Sequence, residues 1–173
     1  MPFAPFQSFP DEARLWLFAF NAPLDLNQLS RLAQGFEAFK PHWKTHGELI
    51  DSEWMVLEDQ ILAVVERTMG TNPSGCSIDA MLRHTQKMAQ AIELDLVDAQ
   101  QVVIRQGPTL RIVAKTEIPS LIETGDLHAE TQVLDLGLLD LSQLRGGKLT
   151  RRLENTWIGR KYKALLEETP TAH

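Results

Sequence analysis

The sequence has one cysteine and one tyrosine in 173 residues, and it has no long hydrophobic run. A single cysteine excludes an intrachain disulfide, and with it the class of small secreted domains that disulfides stabilise. The longest apolar stretch, from Leu15 to Phe20, is far shorter than the roughly 20 residues that span a bilayer. The N-terminus has no basic segment ahead of an apolar one, so it does not predict a signal peptide. We therefore expect a cytoplasmic protein without a membrane partner.

Several motifs of catalysis and cofactor binding are also missing. Gly70 and Gly75 have the spacing of a Walker A loop, but Cys76 stands where that loop has the lysine that contacts phosphate. There is no glycine-rich dinucleotide loop, no C-x-x-C pair, no H-E-x-x-H and no G-x-S-x-G. His42 and His46 lie four residues apart without a third metal ligand nearby. The sequence therefore predicts no metal site, no cofactor and no ATP binding.

Positive charge is scarce in most of the chain and concentrated near its C-terminal end. The net charge is −6, which disfavours a nucleic-acid partner. The segment from Arg145 to Lys163 nevertheless holds seven bases and only Glu154 as an acid. Two interpretations are open: this basic segment packs on acidic groups of its own chain or of a sister subunit, or it binds a polyanion.

The hydrophobic pattern alternates between strands and helices. A doubly buried strand is predicted at Arg14–Phe20, and a helix follows at about 26–40, with Asp25 and Gln28 as a capping box. Further along, the pattern predicts a hairpin over 53–67, a helix from Cys76, a second hairpin over 101–115, a short helix at 118–124 and a terminal helix at 155–166. The first six elements have the order of a split β-α-β unit.

We therefore predict an α+β fold with a ferredoxin-like core, in which one antiparallel sheet carries both helices on one face. The chain is predicted to be a single domain over 1–173, with an extended arm at 1–12, the core at 13–115 and a C-terminal extension at 116–173. The arm carries Phe3, Phe6 and Phe9 among three prolines, and these rings are expected to pack on the body. Because the strands look covered on both faces, either the extension or a second subunit should cover the free face, and we expect a homodimer.

The segment Ser74 to Asp79 is the most informative candidate site. It begins a helix after a glycine-containing loop, where free N–H groups and the positive end of the helix dipole favour an anion or a thiolate. Three interpretations are open. The serines and Cys76 cap the helix, with Asp79 as a favourable acid in its first turn; the segment holds a small anion or another ligand; or Cys76 is a catalytic thiol.

The predicted topology brings further residues to the same end of the sheet. The loop after the first helix carries His42, Trp43 and His46, and it should lie beside residues 72–79 and the hairpin turn 105–108. The candidate ligand-binding residues are Trp43, His46, Ser74, Gly75, Cys76, Ser77, Asp79 and Arg105. The first functional hypothesis is a binding or interaction protein with a small-anion or ligand pocket near Cys76. The alternative is a thiol-dependent enzyme with Cys76 as nucleophile and His46 as base.

Four stretches carry a resemblance to a known family. They are PFQSFPDEARLWLFAFNAPL near the N-terminus, SGCSID at Ser74–Asp79, IPSLIETGDLHAETQVLDLGL, and ENTWIGRKYK. Together they resemble a family of small uncharacterised bacterial proteins, common in Bacteroidetes, that often carries the label "ABC transporter ATPase". The resemblance covers most of the chain and implies one intact domain. It implies no mechanism, and the missing Walker lysine gives the ATPase label no support.

Overall fold

The computed structural model describes residues 2–67 and 73–169, and it shows an α+β protein with antiparallel sheets. The chain divides into two compact units. Unit 1 comprises Met1–Leu96 and Leu136–Gly146, and unit 2 comprises Val97–Asp135 and Gly147–His173. Within the described ranges, no helix combines the length and the apolar character that crossing a membrane requires.

The elements follow in chain order. The strands are β1 (Arg14–Ala19), β2 (Lys44–Thr45), β3 (Glu48–Leu49), β4 (Asp51–Leu57), β5 (Ile61–Arg67), β6 (Gln101–Gln106), β7 (Thr109–Ala114), β8 (Gln132–Leu134) and β9 (Thr150–Arg152). The α-helices are α1 (Leu26–Phe39), α2 (Gly75–Ala91), α3 (Ile118–Glu123), α4 (Leu141–Arg145), α5 (Trp157–Lys161) and α6 (Lys163–Glu168). The helices and strands predicted up to residue 124 are confirmed within a few residues at their ends, and the predicted terminal helix is split into α5 and α6 by Tyr162.

The sheet of unit 1 has three antiparallel strands in the order β1-β5-β4. Every residue of the central strand from Ile61 to Glu66 is buried, as expected for a strand covered on both faces. The register places Trp16 opposite Val64, and Val64 opposite Trp54. Since side chains alternate between faces, residues two apart on each strand form successive rows across the same face.

Helices α1 and α2 pack on the face that carries this row. The capping box predicted for α1 is present, with Asp25 and Gln28 each accepting the other's backbone N–H. The two helices approach closely at Gly35, where a Cβ atom would clash with the sulfur of Met88. The buried members of this core are Phe20, Leu24, Leu32, Phe36, Trp43, Ile50, Leu62, Val64, Met81, Met88, Ala89 and Ile92.

The opposite face of the sheet is covered by unit 1 itself. Phe6 and Phe9 of the N-terminal arm are buried, and the ring of Phe9 lies under the guanidinium of Arg67 at the end of β5. Arg145 at the end of α4 donates hydrogen bonds to the carbonyls of Phe6 and Phe9, each at 2.9 Å. The arm and Leu136–Gly146 therefore cover this second face of the sheet. The apolar character of the strands on both faces, which led us to expect a second subunit, is thus explained by contacts within the chain.

The arm is not fully extended, in contrast to the prediction. Residues Ala4–Phe6 form a 3-10 helix with Pro5 in its first turn. Proline is tolerated there because the N–H that it lacks would have no partner inside the helix. The expected packing of the arm is confirmed for Phe6, which is fully buried, and for Phe9, which is nearly so, whereas Phe3 is half-buried.

Unit 2 has a four-stranded sheet in the order β7-β6-β8-β9, so that β9 lies at an edge. One face packs on α3, α5 and α6. The buried members of this second core are Val102, Ile104, Val113, Ile118, Ile122, Leu127, Val133, Leu153 and Ile158.

The predicted ferredoxin-like topology and C-terminal extension are not confirmed. That topology would place the strands of residues 13–115 in one sheet, whereas β1, β4 and β5 form the sheet of unit 1 and β6 and β7 belong to the sheet of unit 2. Likewise, residues 116–173 do not form one body, because Leu136–Gly146 belongs to unit 1. The division does not test the prediction of a single domain over 1–173, since a compact unit need not fold alone.

Candidate functional site

The start of α2 is built by its two serines. Ser74 is the N-cap, and its hydroxyl oxygen accepts a hydrogen bond from the N–H of Ser77 at 3.2 Å. The hydroxyl of Ser77 donates back to the carbonyl of Ser74 at 2.8 Å, and the two hydroxyl oxygens lie 2.9 Å apart. These bonds satisfy groups that a helix start leaves unpaired. Both hydroxyls therefore serve the helix, which favours the structural interpretation of this segment.

The chain that follows α1 contacts the start of α2, as the sequence predicts. The indole N–H of Trp43 donates to the carbonyl of Ser77 at 2.8 Å, and the backbone N–H of Ser74 donates to the hydroxyl of Thr45 at 3.0 Å. Trp43 and Thr45 are both buried. We call the region formed by Trp43, Thr45, Ser74, Cys76 and Ser77 the α2 entrance.

The predicted nucleophile and base both lie at the surface of this region. Cys76 is exposed in the first turn of α2. His46 is exposed and has φ +50°, and with Gly47 (φ +81°) it forms the two-residue turn between β2 and β3. That turn type requires positive φ at both positions. Cys76 and His46 are thus held by neighbours that touch, Ser74 and Thr45, but they share no hydrogen bond among the described residues.

The remaining predicted residues have different places. Asp79 is exposed one turn along α2, and Gly75 is exposed at its first position. His42 ends the 3-10 helix Lys40–His42. Arg105 lies on β6 in unit 2, whereas the residues of the α2 entrance belong to unit 1. Gly70 and the other residues from 68 to 72 lie outside the described residues, within which no cluster of potential metal ligands is found.

Glu66, on the central strand of unit 1, is a functional candidate that the sequence analysis missed. It is 1% exposed, and neither of its carboxylate oxygens has a hydrogen-bond partner among the described residues. In the register it lies opposite Arg14 of β1 and opposite Ser52 of β4. Burial raises the pKa of Glu66 to about 7, against the opposing effect of the positive charge on Arg14. Its carboxyl group is therefore close to half protonated at neutral pH.

Glu66 lies on the same face and at the same end of the sheet as the α2 entrance. The row formed by Arg14, Glu66 and Ser52 is the next one beyond the row that contains Trp16. The guanidinium of Arg14 lies 5.2 Å from the ring centre of Trp16, and the ring of Trp16 lies 6.1 Å from that of Trp43. Trp43 in turn holds the start of α2. Arg14 thus turns to a tryptophan, and it forms no ion pair with Glu66 within the part of the chain that the structure describes.

The sequence contains a weak signal for Glu66. It stands in phase with Leu62 and Val64 at the end of the apolar run of β5, and these residues belong to the buried core. An acid in phase with the buried face of a strand is unusual, because burying a carboxylate without a partner is costly.

His84 of α2 is a second titratable group on the side of the unit 1 sheet that the helices cover. Its ring stacks on Phe39 with centres 4.3 Å apart, and its Nε2 lies 3.0 Å from the carbonyl oxygen of Gly35. A carbonyl accepts, so Nε2 must carry a proton. Burial lowers the pKa of His84, against the opposing effect of the bond to Gly35, and Lys87 lowers it further. His84 therefore links α2 to α1 as a neutral ring.

No protein-family model matches this chain, and comparisons with curated proteins and with solved structures also found no match.

Proposed function

We propose that the protein binds a small organic acid at Glu66 and Arg14 of unit 1, on the sheet face next to the α2 entrance. The observation that carries the proposal is Glu66, whose two buried carboxylate oxygens lack partners among the described residues. Buried polar groups in folded proteins nearly always have a hydrogen-bond partner, and an orphaned one calls for an explanation such as an absent ligand. A bound molecule that pairs with Glu66 supplies that partner.

The neighbours of Glu66 favour an acid over other ligands. With a pKa of about 7, Glu66 can bind a proton near neutral pH and donate it in a hydrogen bond to a ligand carboxylate. Arg14, directly opposite, contributes the positive charge that an anion needs. Binding a carboxylate then raises the affinity of Glu66 for its proton, so that binding takes up protons from solution.

The hydrogen bonds at the α2 entrance favour binding over catalysis. The hydroxyls of Ser74 and Ser77 are committed to the helix start, and the hydroxyl of Thr45 accepts from Ser74. None of the three is paired with a base that would activate it as a nucleophile within the described chain. These hydroxyls fix the position of α2 beside Trp16 and Trp43.

The test uses acetate, propionate and butyrate, with the matching amides as neutral controls. We expect the acids to raise the thermal unfolding midpoint and the amides to leave it unchanged. Calorimetry in buffers of different ionisation enthalpy should show proton uptake on binding, and Glu66→Gln should abolish that uptake. Arg14→Gln should remove the preference for acid over amide. Equal effects of acids and amides, no effect of either, or proton release on binding would overturn the proposal.

A thiol-dependent enzyme is the second candidate, and one contact favours it. The hydrogen bond between Thr45 and Ser74 places the segments of His46 and Cys76 side by side, with both side chains exposed. The rate of iodoacetamide alkylation at neutral pH distinguishes the two candidates. A rate far above that of a free thiol, lost in His46→Ala and retained in His42→Ala, would support the enzyme. A rate close to that of a free thiol in all three proteins would count against it.

Three further predictions from the sequence stand as proposals. Membership of the bacterial family that the four stretches resemble and a cytoplasmic location are two of them. The third is a homodimer, for which the exposed leucines of unit 1 offer apolar contacts, since Leu26 is 86% and Leu49 60% exposed. Sedimentation at high micromolar concentration should show the dimer, and Leu26→Ser with Leu49→Ser should shift it to monomer. A monomer throughout the concentration range would refute it.

A further inference from the structure

Unit 2 contains two cavities that share Asn155 in their lining. One has a volume of about 340 Å³ and lies among Ala129, Leu166 and the side chains of α5 and α6. The other has a volume of about 460 Å³ and lies beside the edge strand β9. Both volumes are within the range of small-molecule pockets, roughly 300–1,000 Å³. The side-chain amide of Asn155 is exposed and has no hydrogen-bond partner in the described ranges.

The cavity beside β9 is lined by bases and by no acid. Its charged residues are Lys148, Arg151 and Arg152. Lys148 is exposed and forms no ion pair with any described residue. Arg151 lies 3.2 Å from a carboxylate oxygen of Asp135, and its side chain is 45% exposed. This cavity therefore offers positive charge that acids of the chain neutralise only in part.

Arg152 is the most strongly paired of these bases. Its guanidinium lies 3.0 Å from Glu130 and 2.9 Å from Glu154. A guanidinium carries five N–H donors, so two carboxylates do not exhaust it. Its orientation is fixed by these two acids, which leaves Lys148 and Arg151 as the bases able to move onto a ligand.

The other cavity differs in its charge and in its apolar surface. Ala129 and Leu166 give it apolar surface, and its bases Arg160 and Lys163 are matched in number by its acids Glu154 and Glu167. Lys163 and Glu167 lie 4.0 Å apart. This cavity is thus close to neutral overall and suits an uncharged molecular body.

We propose that unit 2 binds a small phosphomonoester, with its phosphate beside Lys148 and Arg151 and its uncharged body in the cavity of Ala129 and Leu166. A phosphomonoester carries close to two negative charges at neutral pH and has three acceptor oxygens. A group of several bases therefore binds it more tightly than it binds a single carboxylate. Asn155, which lines both cavities, can donate to and accept from the ester part of the ligand. The site uses only residues of unit 2 and is independent of the function proposed for unit 1.

The size and content of the cavities argue against a polymeric anion. Single-stranded nucleic acids bind on exposed aromatic rings along a basic groove. The two aromatic rings of this segment are engaged elsewhere, since Trp157 carries the ammonium of Lys115 and Tyr162 that of Lys161. Two cavities of this volume, one basic and one close to neutral, fit one small molecule instead.

The binding test compares glycerol 3-phosphate, inorganic phosphate, glycerate and glycerol by NMR titration of the full chain. We expect glycerol 3-phosphate to bind most tightly, inorganic phosphate more weakly, and glycerol not at all. The shifted resonances should include those of Lys148, Asn155 and Ala129. Lys148→Gln should weaken both phosphate ligands about tenfold, the effect of one lost charge-assisted hydrogen bond. Lys87→Gln, the matched change of an exposed lysine on α2, should have no effect.

A second variant tests the two-part geometry. Ala129→Leu fills the neutral cavity, so it should weaken glycerol 3-phosphate to the level of inorganic phosphate and leave inorganic phosphate unchanged. Any of four results would overturn the proposal. They are equal losses in Lys148→Gln and Lys87→Gln, binding of glycerate as tight as that of glycerol 3-phosphate, tighter binding of an oligothymidylate, and no saturable binding at all. Glu66→Gln should leave phosphate binding intact, which separates this site from the one proposed in unit 1.

Discussion

Glu66 of unit 1 and Arg152 of unit 2 are both charged residues on strands, but their surroundings are opposite. Glu66 lies on a central strand, is 1% exposed and has no partner among the described residues. Arg152 lies on an edge strand with about half of its side chain exposed, and it contacts two carboxylates. The central position removes water from a charge, whereas the edge leaves water to solvate it. Unit 1 should therefore respond to pH, and unit 2 to ionic strength.

The largest loss of stability is expected when the N-terminal arm no longer covers the face of the unit 1 sheet opposite the helices. Phe6→Ala should lower the free energy of unfolding by about 3–5 kcal/mol, because Phe6 is fully buried and the cavity cannot easily close. Phe3→Ala, at a half-buried ring of the same arm, should cost much less. Urea denaturation measures both. Equal small losses would show that the arm does not cover the sheet, and would end the contrast between a doubly covered central strand and an open edge.

The pH dependence of unit 1 is the next largest effect. The folded-state pKa of Glu66 is about 7, above the ordinary value of 4.5. Its favourable contribution is therefore fully present below pH 4.5 and is lost as the pH rises through 7, because only the unfolded chain ionises freely. Between pH 4.5 and pH 8 the unfolding free energy of the native protein should fall by about 2–3 kcal/mol relative to Glu66→Gln.

An exposed acid provides the control for this experiment. The unfolding free energy of Glu12→Gln should follow that of the native protein across the same pH range, since Glu12 is exposed. Parallel curves for Glu66→Gln as well would mean that Glu66 is ionised and solvated in the folded protein.

Removal of the α2 cap should have a smaller effect. Ser74→Ala deletes the hydroxyl that accepts from Ser77, and we expect a loss of about 1 kcal/mol in unfolding free energy. Ser30→Ala, on the exposed side of α1, should change stability by less than about 0.5 kcal/mol. If Ser74→Ala is equally silent, water replaces the cap, and the α2 entrance is more accessible than its hydrogen bonds suggest.

The smallest effect is expected at the edge strand of unit 2. Arg152→Gln breaks two exposed ion pairs, which together should contribute less than about 1 kcal/mol and should fade in high salt. Thermal unfolding at low and high salt measures this. A loss of several kcal/mol that persists in high salt would show that Arg152 is a desolvated group like Glu66, and the contrast between the two units would fail.

Local features of the sequence predicted the elements and the two hairpins, but not how the hairpins and the other strands are divided between two sheets. The capping box at Asp25 and the apolar stripe of α2 are short-range signals, and both helices are where they were predicted. By contrast, the apolar run of β6 fits the edge of the first sheet as well as the centre of a second one. Its hairpin partner β7 was predicted, but its other neighbour, β8, is selected by long-range packing against α3 and α5, which no local pattern encodes.

The candidate site was predicted in part for a related reason. The meeting of Trp43 and Thr45 with the start of α2 needs only that both helices lie on one face of the sheet, and this part of the predicted arrangement holds. Glu66 left only a weak signal in the sequence, because its burial depends on tertiary packing and not on a local pattern. The cavities of unit 2 were equally hidden, although the basic segment that lines them stands out in the sequence.

The composition of unit 1 from two stretches of chain has a consequence for synthesis. The segment Leu136–Gly146 pairs its backbone with Ala13 and Leu15 and holds the arm through Arg145. A ribosome releases this segment only after it has made Val97–Asp135, so the first ninety-odd residues must wait with one face of their sheet incompletely covered. A nascent chain arrested before residue 136 should therefore be protease-sensitive and bind chaperones. Release of residue 146 from the exit tunnel should make the N-terminal sheet resistant.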